Sequence, residues 1–283
     1  MTSTAKQFFL VERRQADPVA ESQFFSSLKM RNGTFKLTQP CRFATMEAEF
    51  RSVIAERAPR FRHVLDVGVS TGLTTIELAD FLLAEGASAQ VVGTDLFVQA
   101  HLVEVAPGIR VLADAEGWPL QYDVAGQPIR AWIRRLDYVT LMVAPRLFAR
   151  SALRPRLRRM IAEGRSLPVR METIGLAERN IELVENDIFV PTSRFIGRFD
   201  FIRAANILNL NYFPAERIRE GISNIRSYCR GDHSLVLVAR SKGSRHDGTL
   251  FELGQDGTFA VRARVGKGSE IEALVLSHGQ KMS

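Results

Sequence analysis

The strongest constraint on the fold is a strand, a glycine turn and a helix in direct succession. Residues 64–67 form an apolar run that only Asp66 interrupts, and residues 73–79 carry apolar side chains at helical spacing. Between them lie Gly68 and Gly72, and a glycine at such a turn lets the backbone approach a ligand closely because it has no Cβ. This succession predicts a nucleotide-binding βα unit.

A second strand ends in a carboxylate at the distance that this type of fold requires. Residues 90–95 read as an apolar strand closed by Asp95, which lies 27 residues after Gly68, far enough for one helix and one strand. In a doubly wound sheet, an acid at this position accepts hydrogen bonds from the ribose hydroxyls of a bound nucleoside. We therefore expect Asp95 to bind the ribose of a cofactor, and Leu96 beside it to contact the cofactor.

The spacing of the glycines separates two kinds of cofactor. A pyrophosphate-binding turn has the pattern Gly-x-Gly-x-x-Gly, whereas here Ser70 stands two residues after Gly68 and Gly72 four residues after it. The pattern Asp66-x-Gly68-x-x-x-Gly72 instead resembles the first motif of the class I S-adenosylmethionine-dependent methyltransferases. The resemblance implies S-adenosyl-L-methionine as the cofactor, with a carboxylate near the turn to hold its ammonium group. The missing middle glycine argues against a nicotinamide-dependent oxidoreductase.

The second half of the chain supplies the remaining elements. They are strands at 181–189 and 197–206, a helix at 215–229, a strand at 234–240, and alternating segments at 249–261 and 271–276 around the turn signal Asp256-Gly257. Asp187 closes the first of these strands, where an acid can accept the adenine amino group. The predicted fold class is α/β, a doubly wound (Rossmann-like), seven-stranded methyltransferase sheet with a terminal β-hairpin and a large helical insertion.

Within that superfamily, the chain most resembles the chemotaxis-receptor carboxyl methyltransferase-like group. Ser70-Thr71-Gly72 matches that group's turn, and residues 199–213 resemble its segment beside the methionine part of the ligand. The likeness covers about 61–95 and 181–240, less than half of the chain. The residues that it implies for the cofactor, together with those derived above, are Asp66, Gly68, Ser70, Thr71, Gly72, Asp95, Leu96, Asp187, Ile188, Ala205 and Asn206.

Two departures from that group bear on the substrate. The group follows its turn with Glu-Glu-Pro, where this chain has Leu73-Thr74-Thr75. The N-terminal helical domain that docks on a receptor in that group is also not recognisable here. A receptor glutamate is therefore not the expected acceptor.

The length of the chain between two strands predicts an insertion. We expect an N-terminal arm and lead-in helix at 1–60, and a cofactor-binding domain made of 61–95 and 181–283. The intervening 96–180 exceeds the single helix that a minimal sheet needs there, and predicts an inserted basic cap or substrate subdomain.

The pattern inside the insertion changes along its length. Residues 109–122 alternate and predict a small hairpin, whereas 129–161 read as helical pieces divided by Pro145 and Pro155.

The positive charge of the protein is concentrated in the insertion. The net charge is +7, yet residues 129–170 hold eleven arginines and two acids, a local charge of +9 that leaves −2 for the rest. Three interpretations stay open: a solvated face of a helical lid, a surface for an anionic lipid or substrate, or a nucleic-acid contact. Arg154 and Arg158 are the candidate substrate-binding arginines.

The sequence identifies no catalytic residue. Methyl transfer from a sulfonium requires mainly in-line placement of the acceptor, and orientation alone can supply roughly 7–11 kcal/mol of the barrier. Asn209, Tyr212 and His101 are polar groups near the expected cleft. The expected reaction is methyl transfer to an O, N or carboxyl acceptor on a small molecule or lipid. An RNA or protein methyltransferase and a non-catalytic cofactor-binding protein remain alternatives.

Composition excludes several other classes. The two cysteines, Cys41 and Cys229, exclude a disulfide framework, and five scattered histidines form no metal-ligand pair. No segment reads as a signal peptide or a membrane span. We expect a soluble, cytoplasmic protein of a reducing compartment, with peripheral contact with an anionic membrane left open. The sequence leaves the oligomeric state open too.

Overall fold

A computed structural model describes residues 3–12, 18–36, 39–242 and 245–278. The chain divides into two compact units, the first made of 1–38 and 97–174, the second of 39–96 and 175–283. The helices are α1 (Ala5–Gln7), α2 (Pro18–Ser26), α3 (Ala44–Arg57), α4 (Leu73–Ala84), α5 (Arg135–Val139), α6 (Val143–Ala162), α7 (Ala215–Tyr228) and α8 (Glu272–Ser277). The strands are β1 (His63–Val67), β2 (Gln90–Asp95), β3 (Gln99–Ala106), β4 (Ile109–Ala113), β5 (Pro119–Val124), β6 (Gln127–Arg130), β7 (Leu167–Arg170), β8 (Ile181–Glu185), β9 (Phe201–Ala205), β10 (Leu235–Lys242), β11 (Arg245–Leu253) and β12 (Phe259–Val265).

The second unit is built on a seven-stranded mixed sheet of order β12-β11-β10-β9-β1-β2-β8. The strands from β10 to β8 run parallel, and β11 and β12 extend the sheet antiparallel. The predicted α/β fold with a seven-stranded sheet is confirmed. The chain moves outward from β1 through β2 to β8, and in the opposite direction from β9 to β10. In open α/β sheets ligands bind at such a reversal, beyond the carboxyl ends of the strands.

Both faces of this sheet are covered, because successive strand residues point to opposite faces. On one face, Leu65 and Ile202 belong to a buried cluster with Ile222 of α7. On the other, Arg203 contacts Glu47 of α3 and the backbone of α4. Strands buried on both faces read as nearly continuous apolar runs, which explains why their positions were predictable.

The end of the second unit differs in part from the prediction. The hairpin is confirmed: β11 and β12 join through a turn in which Thr258 N donates to Asp256 Oδ1 at 2.9 Å and Gly257 has φ of 73°. The strand expected at 271–276 is wrong, because α8 occupies this segment. Ile271 and Val275 are buried in the same cluster as α7, and their spacing of four residues suits one face of a helix.

The first unit is built on an antiparallel five-stranded sheet of order β6-β5-β4-β3-β7. The expectation of a large helical insertion is therefore wrong for most of 97–170. The hairpin predicted within it is confirmed as β4 and β5. Phe8 and Phe24 from the start of the chain stack at 3.9 Å, and pack in one core cluster with Leu102 and Leu112 of this sheet.

Helix α6 continues through a proline that was expected to divide it. Pro145 lies in the first turn of α6, where backbone N–H groups have no acceptor within the helix, so the lack of an N–H costs no hydrogen bond. Pro155, in contrast, lies inside the helix. An interior proline costs about 3 kcal/mol. Beyond it, Leu157 and Met160 are buried against Val103 and other residues of the sheet. We attribute the continuity of α6 to this burial, which offsets the lost hydrogen bond.

Candidate cofactor-binding site

The glycine turn at the end of β1 has a left-handed backbone at three of its residues. Gly68, Ser70 and Gly72 have φ of 78°, 57° and 89°. Gly68 N and Val69 N both donate to Thr94 O, at 2.7 and 3.1 Å, so the turn is bonded to the last residues of β2. Glycine avoids the steric cost that other residues meet in this conformation.

Both glycines are also required by packing within the same unit. A Cβ at position 68 would lie 2.2 Å from the Ile207 side chain, and one at position 72 would lie 2.7 Å from Leu176. The space that Gly68 leaves open is therefore occupied by Ile207, a residue that the sequence analysis did not select. An apolar residue directly after Asn206 carries no signal of its own, because the contact exists only in the folded sheet.

Asp95 lies next to this turn. Ser70 N donates to Asp95 Oδ2 at 2.9 Å, which fixes the carboxylate at the carboxyl end of β2. Asp95 is half-buried, and Leu96 after it is exposed. The structure thus brings together the predicted ribose ligand and the predicted turn, at one edge of the sheet.

Asp66 has a different position from the one predicted. Its side chain is buried, and Arg203 donates to both carboxylate oxygens, from Nε at 2.8 Å and from Nη2 at 2.7 Å. Thr75 Oγ1 donates to Oδ2 at 2.7 Å. Since its oxygens are engaged inside the unit, Asp66 is a core residue rather than a carboxylate facing a cofactor.

The partner of Asp66 forms the centre of a buried charge network that sequence reasoning missed. Arg203 Nη1 also donates to Glu47 Oε1 at 2.8 Å. Burial raises the pKa of Glu47, and the charge of Arg203 only partly offsets that effect. Burial alone would lower the pKa of Arg203, but the charge of Asp66 and its hydrogen bond raise it. A signal was present: Asp66 and Arg203 are lone charges in apolar strands, and the β1–β9 register pairs them directly.

Asp187 and Ile188 follow β8 at the same edge of the sheet. Asp187 Oδ1 accepts a hydrogen bond from Phe189 N at 2.9 Å, and Oδ2 lies 3.9 Å from Arg217 Nη2 with a third of the side chain exposed. Ile188 is buried, and its carbonyl accepts a hydrogen bond from Asn224 Nδ2 at 2.7 Å. The aspartate therefore remains accessible, whereas Ile188 belongs to the core.

The residues after β9 shape a loop. Ala205, the last residue of β9, is buried, and Asn206 after it has a left-handed backbone with φ of 63°. Ser241 N donates to Asn206 Oδ1 at 2.7 Å. Asn209 is buried and its Oδ1 accepts a hydrogen bond from Asn211 N at 2.8 Å, while Tyr212 is exposed. Asn209 thus stabilises its own loop, and Tyr212 is the accessible polar side chain of the pair.

The remaining candidates belong to the first unit. Arg154 Nε donates to Glu116 O at 3.4 Å, and Arg158 Nη2 lies 3.5 Å from Glu116 Oε2. His101 Nδ1 lies 3.1 Å from Ser166 Oγ. Arg154 and Arg158 therefore tie α6 to the turn before β5, which is a structural use for side chains predicted to bind substrate.

These positions fit the nucleoside half of S-adenosylmethionine and not the predicted ammonium contact. Asp95 and Asp187 are accessible carboxylates at the carboxyl ends of β2 and β8, the edge at which open α/β sheets bind ligands. Asp66 is buried with both oxygens hydrogen-bonded to Arg203, and Ile207 fills the space beside Gly68. Within the described ranges, no group of three His, Cys, Asp or Glu side chains is arranged to hold a metal ion. None of the helices in the described part of the chain is long and apolar enough to cross a bilayer.

Comparisons with known proteins give distant structural likenesses. No protein-family model matches the sequence, and no curated protein matches it either. Among solved structures, the chain is similar to the CMeT domain of the citrinin polyketide synthase (14% identity, 63% of this chain, 28% of that chain, TM-score 0.29). It is also similar to the cyclase SpnF (13% identity, 67% of this chain, 43% of that chain, TM-score 0.30). A third similar structure is that of the sugar N-methyltransferase KedS8 from a Streptoalloteichus species (11% identity, 80% of this chain, 74% of that chain, TM-score 0.32).

These likenesses are too distant to assign a family. The chain spans less than half the length of the first two proteins, and all three TM-scores lie well below the range of a shared fold. A fold of this kind also supports unrelated reactions. Evidence for function therefore lies in the residues of the site itself.

Proposed function

We propose that this chain binds S-adenosyl-L-methionine and transfers its methyl group to an O, N or carboxyl acceptor on a small molecule or lipid. One observation carries the proposal: the Asp95 carboxylate is fixed by Ser70 N at the carboxyl end of β2, one strand away from the reversal of strand order. This is where a doubly wound sheet offers an acid to a ribose. The glycine spacing, which lacks the pyrophosphate pattern, favours a cofactor without phosphates.

The residues of this edge have distinct roles in the proposal. Asp95 accepts the ribose hydroxyls, and Asp187 accepts the adenine amino group. When bound, S-adenosylmethionine supplies an electrophilic methyl group on a sulfonium sulfur. The protein's own contribution is to hold the acceptor in line and exclude water, and a catalytic base is optional.

The first experiment measures binding of S-adenosylhomocysteine by titration calorimetry. Hydrogen bonds to a charged acceptor contribute about 1.5–3 kcal/mol each, so Asp95→Ala should weaken binding at least tenfold. Asp232→Ala is the matched control, because Asp232 precedes β10 at the opposite edge of the sheet and its side chain is 46% exposed. Wild-type affinity in Asp95→Ala, or an equal loss in the control, would refute the assignment.

A second experiment tests the adenine contact. Asp187→Ala should weaken binding of adenosine while leaving binding of methionine unchanged, because Asp187 is assigned to the adenine alone. Equal loss for both fragments would show that the substitution damages the loop after β8 instead.

A third experiment tests the transfer of the methyl group. Protein with radiolabelled S-adenosylmethionine is incubated with an extract, and label is counted in separated lipid, protein, RNA and small-molecule fractions. We expect label in the lipid or small-molecule fraction. Label in RNA or protein would correct the acceptor, and cofactor binding without any labelled product would contradict catalysis.

A further inference from the structure

Six exposed apolar side chains of the first unit, which include its four most exposed ones among the described residues, belong to one short segment of the chain. They lie on α5, on the connection that follows it and on the first turns of α6. We call this set the apolar tip; its members are Leu136, Tyr138, Val139, Leu141, Met142 and Phe148, with exposed fractions of 50, 67, 79, 79, 43 and 76%. Apolar residues scattered singly over a surface need no explanation, but a concentrated group marks an interaction site.

The backbone of the apolar tip holds one of these residues outward under strain. Leu141 has φ of 57°, a left-handed conformation that residues with a side chain rarely adopt. With 79% of it exposed, little buried contact compensates for this conformation within the unit. Strain without a packing benefit in the fold itself is typical of sites that bind something else.

The charges around the apolar tip favour one kind of partner. Residues 134–150 contain four arginines and one acid, Asp137. That acid is buried, with Arg134 N donating to Oδ2 at 2.9 Å and the Arg130 and Arg146 guanidinium groups against its carboxylate. Arg134 and Arg135 are exposed. The segment therefore presents apolar side chains and positive charge to solvent, with its single carboxylate turned inward.

From this arrangement we infer that the apolar tip docks into the interface of an anionic lipid bilayer. Apolar and aromatic side chains flanked by arginine are the composition of interfacial membrane-binding segments. A second copy meeting the apolar tip in a symmetric contact would place like charges against each other. Phosphates of a nucleic acid would meet the arginines but leave six apolar side chains without a partner. This inference does not depend on the proposed methyl transfer.

The test is vesicle binding by the full chain. Co-sedimentation compares vesicles of phosphatidylcholine mixed with phosphatidylglycerol against vesicles of phosphatidylcholine alone. We expect binding to the anionic vesicles to be at least tenfold tighter, and to weaken as salt is added.

Two sets of variants separate the contributions. Leu141→Ser with Phe148→Ser should lower binding to anionic vesicles at least tenfold, because two large apolar groups no longer enter the interface. Leu83→Ser with Ile196→Ser is the matched control, since these residues are 66% and 62% exposed in the second unit. Arg134→Gln with Arg135→Gln should weaken binding about fivefold per arginine and flatten its salt dependence.

The contrary outcomes are equally defined. Equal binding to neutral and anionic vesicles, or an equal loss in the control pair, would overturn the inference. Light scattering that shows a dimer of the parent chain, abolished by the Leu141 and Phe148 changes while vesicle binding persists, would identify a second copy as the occupant instead. Circular dichroism and thermal unfolding of each variant confirm that these exposed substitutions leave the fold intact.

Discussion

The carboxylate of Asp66 and the guanidinium of Arg203 face each other across β1 and β9, with Oδ1–Nε and Oδ2–Nη2 distances of 2.8 and 2.7 Å. Both side chains are buried, so removal of one leaves the other charge without compensation. We predict that Arg203→Met lowers the free energy of unfolding by about 3–5 kcal/mol. Urea denaturation at neutral pH measures the loss.

The same variant should depend on pH in a defined direction. Burial already raises the pKa of Glu47, and loss of Arg203 leaves Glu47 and Asp66 as two uncompensated buried acids. Because its pKa is raised, Glu47 destabilises the fold while it is ionised, so the deficit in unfolding free energy of Arg203→Met should shrink as the pH falls through that raised pKa. Arg194→Met, whose partner Glu182 is 41% exposed, should cost no more than about 1 kcal/mol. A similar cost for both variants would contradict the prediction.

A second prediction concerns Gly68 and Ile207. Gly68→Ala should cost about 1–2 kcal/mol for its left-handed backbone and a further 1–3 kcal/mol, roughly, for overpacking against Ile207. Ile207→Ala in the same chain should remove the overpacking cost of Gly68→Ala, and a double-mutant cycle measures this recovery as a coupling energy. Gly197→Ala is the control, because Gly197 has φ of 62° and open space at its Cβ position. Additive effects of the Gly68 and Ile207 changes would show that the contact does not matter.

A third prediction concerns the two cysteines. Cys41 is exposed and Cys229 is buried, and burial raises the pKa of the Cys229 thiol to about 12. At pH 8 its thiolate fraction is on the order of 10⁻⁴, and the thiolate is the reactive form. Iodoacetamide should therefore add one group to the native protein, at Cys41, and two after denaturation, as measured by mass spectrometry. Rapid modification of Cys229 in the native state would contradict its burial.

A fourth prediction concerns the pH dependence of the buried acid beneath the apolar tip. Burial alone would raise the pKa of Asp137, but the hydrogen bond from Arg134 N and the charges of Arg130 and Arg146 lower it. A lowered pKa means that the stabilisation is present above the ordinary value of about 3.9 and is lost as the pH falls through the lowered one. Asp137→Asn should therefore lower the melting temperature at neutral pH, and the melting temperatures of variant and parent should approach each other below about pH 4. A difference in melting temperature between Asp137→Asn and the parent that stays constant with pH would argue against this.

The sequence predicted those parts of the fold that depend on local patterns. The succession from β1 through the glycine turn to α4 and β2, and the position of Asp95, follow from periodicity and spacing that are readable within some 30 residues. The partners of Asp66 were not readable in this way, because Arg203 stands 137 residues further along the chain. The motif therefore predicted a ligand contact where the fold has an internal ion pair.

The first unit shows why the other parts of the fold were difficult to predict from the sequence. Its arginines alternate with apolar residues in a manner that suits both a strand and a helix, and among its described residues only α6 is helical over a long stretch. Pro155 argues locally against a continuous helix, while burial of Leu157 and Met160 against the sheet favours one. Residues 271–276 pose the same ambiguity, because the spacing of Ile271 and Val275 fits both the two-residue period of a strand and the 3.6-residue period of a helix. Packing decides such cases, and packing is not local.

The shared core of the first unit has a consequence for synthesis of the protein. Phe24 and Met171 belong to one cluster, yet 147 residues separate them in the chain. At about 5–20 residues per second, the phenylalanines near the start of the nascent chain wait roughly 7–30 s for their last partners to be made. During that interval the ribosome carries an exposed aromatic segment, the kind of surface that chaperones bind. The order of translation, and not only the final packing, thus defines when this unit is vulnerable to aggregation.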